Sequence, residues 1–158
     1  MSFQDVIDAR LGDVLTERGF ERIQHAIDNR AFGNEFVIFR SPSVMLRFVR
    51  DRSDLFIEVG PSSGEEHWCD FSLLEQLLKV AGAPITTDAG GRDGIVALRE
   101  TLRLRYDDLV NLFSPTAVNE TLRKVREMKS TQVESFLKGC GLTPTELQRA
   151  GFGQKSPR

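Results

Sequence analysis

The sequence predicts an α+β domain made of an N-terminal helix, a four-stranded antiparallel meander and a C-terminal half of three to four helices. Three observations carry this. Apolar residues recur at helical spacing over residues 3–18. Four short apolar runs separated by turn-prone breaks then fill residues 20–60. From residue 71 onward the apolar spacing returns to three and four. The 158 residues suit one domain over 1–150, with 151–158 as a loose tail. A chain of that length buries enough surface to fold without a disulfide or a metal.

In the first helix Phe3, Val6, Ile7, Leu11, Val14 and Leu15 form the apolar stripe, and Gly19 marks the stop. The sheet runs are Phe20–Asp28, Asn34–Arg40, Val44–Arg50 and Leu55–Gly60. Their breaks, Asn29–Gly33, Ser41-Pro42-Ser43 and Asp51–Asp54, are short and turn-prone, which favours a meander over crossovers. A four-residue turn at 51–54 sets Arg50 opposite Leu55, Phe48 opposite Ile57, and Arg47 opposite Glu58 as a favourable cross-strand pair. A three-residue turn at 41–43 sets Ile38 beside Leu46 and Phe36 beside Phe48. One face then reads Phe36, Ile38, Val44, Leu46, Phe48, Leu55, Ile57 and Val59, a core. The other reads Val37, Phe39, Met45, Val49 and Phe56 around Arg47 and Glu58. A slip of one residue at the Ser-Pro-Ser turn would invert the second strand's faces.

In the helical half, Ser72-Leu73-Leu74-Glu75 reads as a capping box, followed by the stripe Leu74, Leu77, Leu78 and Ala81. Residues 82–92 read as a polar loop. Asp93 then caps one long helix with Ile95, Leu98, Leu102, Tyr106, Leu109 and Phe113 on its buried side. Ser114 and Pro115 read as N-cap and first position of the next helix, which carries Val118, Leu122, Val125 and Met128 toward Phe136 and Leu137 and stops at Gly139. Thr143-Pro144-Thr145-Glu146 opens a last short helix by another capping box.

Composition narrows the function classes. Apolar residues are 40% and charged residues 28%, a globular balance. No apolar run approaches the ~18 residues of a membrane span, and the first residues lack the pattern of an export signal, so a cytoplasmic protein with no membrane partner is expected. The net charge of −2 hides a split: residues 1–79 carry 9 Lys/Arg against 14 Asp/Glu, and residues 80–158 carry 12 against 9. Such a split can steer a charged partner. Arginine outnumbers lysine 16 to 5, a bias associated with GC-rich bacteria. Cys69 and Cys140 have no paired spacing and read as free thiols.

The densest reactive cluster is Glu65-Glu66-His67-Trp68-Cys69-Asp70. In an extended segment His67 and Cys69 point the same way, as an imidazole and thiolate that zinc accepts, but a structural site needs four ligands and no second pair is present. Cys69 could also be a nucleophile with His25 or His67 as its base, against which stand the neighbouring acids that hold a thiol protonated. A pre-helix turn in which Trp68 packs, Asp70 or Ser72 caps the helix and His67 is incidental is the plainer reading. Gly90-Gly91-Arg92-Asp93-Gly94 matches neither phosphate-binding glycine motif. For nucleic acid, Arg99, Arg103, Arg123 and Arg126 lead the basic helices, and residues 136–151 resemble the first part of a helix-turn-helix without a recognition helix to follow.

The second sheet face is the most informative feature, because five apolar side chains around one ion pair are too many for a freely solvated surface. Either the chain's helices cover it or a partner does. The expectation is therefore a non-enzymatic interaction module of a bacterial cytoplasm, binding another protein or a second copy of itself, with no cofactor. Its order of elements is shared with small bacterial adaptor and immunity proteins, an analogy that carries no residue over. The alternatives are a small enzyme or metal-binding protein using Glu65–Asp70, and nucleic-acid binding through the helices of residues 99–129.

Overall fold

The computed structural model describes residues 2–28, 34–52, 54–63, 67–80 and 93–149. The expected turn at 29–33, Glu65, Glu66, Ala81, the loop at 82–92 and the tail at 151–158 lie outside the described residues. The elements in order are α1 (Phe3–Glu17), β1 (Glu21–Asp28), β2 (Asn34–Arg40), β3 (Val44–Asp51), β4 (Asp54–Pro61), β5 (Cys69–Asp70), α2 (Phe71–Val80), α3 (Gly94–Leu104), α4 (Tyr106–Leu112), α5 (Val118–Gly139) and α6 (Pro144–Arg149). This is the predicted α+β order, with a two-residue fifth strand added. The sheet is antiparallel throughout in the order β1-β2-β3-β4-β5.

The stop of α1 follows from Gly19, whose φ of +70° suits a residue without Cβ. Its N–H donates to the Thr16 carbonyl and that of Phe20 to the Leu15 carbonyl, the paired bonds of a Schellman motif. Leu15 and Phe20 are both buried beside it. The same motif ends α5 at Gly141, φ +85°, with Gly141 donating to Lys138 and Leu142 to Leu137. Gly139, expected as the stop, is instead the last helical residue.

The β3–β4 register is the predicted one, with Arg47 opposite Glu58 and Phe48 opposite Ile57. The β2–β3 register is not. Phe39 lies opposite Leu46, Ile38 opposite Arg47 and Val37 opposite Phe48, one residue away from the expected pairing. The cause is the turn. Ser41 belongs to the ladder rather than to the loop: its N–H donates to the Val44 carbonyl at 2.9 Å, and its hydroxyl accepts from the Val44 N–H and donates back to the Val44 carbonyl. Only Pro42 and Ser43 form the loop, and shortening the loop by one residue turns every side chain of β2 over. The correction is plain: Val37 and Phe39 face the core, 0% and 6% exposed, while Phe36 and Ile38 take the opposite face.

The core joins Val37, Phe39, Val44, Leu46, Phe48, Ile57 and Val59 to Phe3, Ile7, Leu11 and Val14 of α1 and to Leu74, Leu78, Leu98, Leu102 and Leu109 of the later helices. Arginine guanidinium groups fasten its rim. Arg99 and Arg103 both reach Asp13 across α1 and α3, and the Arg99 bond holds the Asp13 carboxyl down at about 2. Arg18 donates to the carbonyls of Leu102 and Arg103, each at 2.9 Å, and lies over the Tyr106 ring. Those two carbonyls would serve the next turn of a continuous helix. The single helix expected over 93–113 is broken at Arg105 into α3 and α4, and Arg18 satisfies two of the carbonyls at the end of α3. Arg105 in turn donates to the Leu78 carbonyl and to Asp108. The Tyr106 hydroxyl donates to Ser41, tying α4 to the β2–β3 turn.

Two expected caps also move. Asp70, not Ser72, caps α2 by accepting from the Ser72 N–H at 2.8 Å and from its hydroxyl. Ser114 and Pro115 lie in a turn before α5, which begins at Val118; the Ser114 carbonyl, rather than its hydroxyl, receives the N–H groups of Ala117 and Val118. Asp93 caps α3 as expected, accepting from the Ile95 N–H, and Thr143 and Glu146 form the reciprocal bonds of the last capping box. No described helix is long and apolar enough to cross a membrane.

Candidate functional site

The core draws on one face of the sheet. The residues of the other face, Phe36, Ile38, Met45, Arg47, Val49, Phe56 and Glu58, are absent from the cluster that the helices share with the strands. The observed register arranges this outer face in rows. One row is apolar and crosses four strands: Ala26, Phe36, Val49 and Phe56. Phe56 is 47% exposed, and Phe36 and Val49 are half-buried. The next row is polar apart from Ile38: Gln24, Ile38, Arg47, Glu58 and Asp70. The third brings Arg40, Met45 and Gly60 together, and Arg40 covers Met45 with a 3.5 Å contact to its sulfur.

At the centre, the Arg47 Nε donates to Glu58 at 2.5 Å, and the Trp68 ring stacks on the Arg47 guanidinium at 4.6 Å. Such a stack contributes about 0.5–2 kcal/mol, more as it is desolvated. Gly60 makes it possible. A Cβ at Gly60 would stand 2.7 Å from the His67 carbonyl oxygen, so only glycine lets the backbone at 67–68 lie against β4 and present the tryptophan. Trp68 thus packs, as the plainer reading held, and it packs on the outer face.

The interface candidates therefore divide. Met45, Arg47, Val49, Phe56 and Glu58 lie on the outer face as expected; Val37 and Phe39 do not, and Phe36 and Ile38 replace them. Alternation alone was the available signal, and it left the choice to the length of one turn. The first strand was expected, but not its exposure: Ile23 and Ile27 of β1 are 45% and 56% exposed. Phe136, near the end of the predicted helix, is 71% exposed on α5.

His67 and Cys69 do not converge. His67 is exposed ahead of β5, whereas Cys69 pairs with Val59 and is 2% exposed in the core. Burial pushes its thiol up to about 11, with the Glu58 charge adding in the same direction. A thiol so placed is neither a nucleophile nor a ready metal ligand near neutral pH. Among the described residues, no group of three His, Cys, Asp or Glu is arranged to hold a metal ion. One equivalent of iodoacetamide is expected to label native protein, at exposed Cys140, with Cys69 labelled only after unfolding. Peptide mapping of the alkylated protein checks this; rapid native labelling of Cys69 would contradict the buried placement.

The basic candidates are mostly engaged. Arg99 and Arg103 share Asp13, Arg123 sits between Glu120 and Glu127, and Arg126 is exposed on α5. Compared with protein-family models, curated proteins and solved structures, the chain matches none.

Proposed function

We propose that this chain is a non-enzymatic protein-interaction module that presents the outer face of its sheet to a protein partner. The observation that carries the reading is the apolar row Phe36–Val49–Phe56, left outside the helix-covered core and bordered by the Arg47–Glu58 pair. An apolar row that ends in the exposed Phe56, beside a half-buried arginine stacked on tryptophan, has the composition of an interface centre, where aromatic residues and arginine carry most binding energy. The pair supplies polarity that fixes orientation more than affinity. A bacterial cytoplasmic setting belongs to the same proposal and rests on the arginine bias and the composition. An adaptor or immunity-like role is consistent with it by analogy of element order alone.

The test compares wild-type protein with Phe56→Asp as bait in lysate of the source cell, read by quantitative mass spectrometry. The substitution falls on a side chain that is 47% exposed, so the fold is expected to survive. A protein retained by wild type and lost at least tenfold with Phe56→Asp supports the reading. Identical recovery of every protein by both baits overturns it.

A further inference from the structure

We infer that two copies of this chain pair along β1, antiparallel and centred on His25, so that the sheet continues across a two-fold axis. This uses the sheet's edge, not its outer face, and does not rest on the function proposed above. The eight-residue β1 is an outermost strand, and among the described residues nothing pairs with its free side. An edge of that length presents a row of unpaired backbone donors and acceptors, which soluble proteins usually blunt with charged side chains, proline, a bulge or a covering element. Here the charges Glu21 and Arg22 and a bulge guard only the start of β1, and residues 24–27 hold no lysine, proline or bulge, while Ile23 and Ile27 are exposed. The opposite edge is managed: β5 pairs with Glu58 and Val59, and Gly94 at the start of α3 lies against the Ile57 side chain.

The occupant follows from the strand's own order. In the run Arg22-Ile23-Gln24-His25-Ala26-Ile27 the two isoleucines lie at equal distances on either side of His25. Antiparallel pairing about that residue sets Ile23 of one copy against Ile27 of the other. A register shifted by one residue separates the isoleucines. Apolar matching thus favours the register centred on His25, which is isologous, as a two-fold dimer requires. The β1–β2 ladder shifts register between Arg22 and Gln24, and such a bulge twists a strand away from further pairing. The regular contact is consequently short, and the dimer is a weak, concentration-dependent one.

Sedimentation velocity over a wide concentration series tests this with wild type, Ile27→Lys and Phe56→Asp. The expected result is a monomer–dimer equilibrium for wild type, at least a tenfold weaker one for Ile27→Lys, and no change for Phe56→Asp. Circular dichroism accompanies each variant, and Ile23→Lys replaces Ile27→Lys if the latter loses its strand signal. A wild type that stays monomeric at the highest concentration overturns the inference. So does a dimer indifferent to substitutions at Ile23 and Ile27, or one abolished by Phe56→Asp.

Discussion

Phe39→Asp is expected to leave the protein unfolded at room temperature, while Phe56→Asp melts within a few degrees of wild type. The two phenylalanines lie on β2 and β4 of one sheet, with β3 between them, and the register puts them on opposite faces. Phe39 is 6% exposed, edge-on to Phe48 with ring centroids 5.9 Å apart. Removing such a ring costs about 3–5 kcal/mol. Burying an unpaired carboxylate in its place adds several more, against a total stability of roughly 5–15 kcal/mol for a domain. Far-ultraviolet circular dichroism and a thermal melt read the result. If Phe39→Asp folds and melts like wild type, the β2–β3 register described above is wrong.

Gly60→Ala has the second largest expected effect, because the strain falls on backbone. The added methyl would meet the His67 carbonyl at 2.7 Å and the Trp68 ring at 3.4 Å, so the segment leading into β5 must move as a unit. Overpacking of this kind costs about 1–3 kcal/mol, which for a chain of this size lowers Tm by roughly 2–4 °C per kcal/mol. Displacing Trp68 also lifts it from Arg47, so the fluorescence of the protein's single tryptophan is expected to shift together with the melt. An unchanged emission spectrum and melting point would mean that the 67–68 backbone does not lie on β4.

The two substitutions bear on what the sequence could disclose. Helix α1, the strand runs, the β3–β4 register and the Arg47–Glu58 pair were all legible, because helical spacing, alternation and a turn of defined length leave little choice. The β2–β3 register was not, since it depends on whether the Ser41 backbone joins the ladder, which hydroxyl bonds to Val44 decide. The break between α3 and α4 was equally hidden. The periodicity through Arg105 is unbroken, and the carbonyls at the break are capped by Arg18, more than eighty residues earlier in the chain. Of the seven interface candidates, five lie on the outer face where alternation placed them. Trp68's stacking partner lay beyond reach of any local pattern, because it depends on a close approach at Gly60.

The arginines of the rim have a chemical consequence. Arg18 serves two carbonyls and a ring, Arg99 a carbonyl and a carboxylate, and Arg105 a carbonyl and a carboxylate. Each task needs several donors in a flat, fixed fork, which an ammonium group on a flexible stem does not offer. At these positions the preference for arginine over lysine is thus a matter of carpentry, whatever its genomic origin. It also means that formal charge overstates the cationic surface of the helical half at Arg99 and Arg105, whose guanidinium groups are engaged by the chain's own carbonyls and carboxylates.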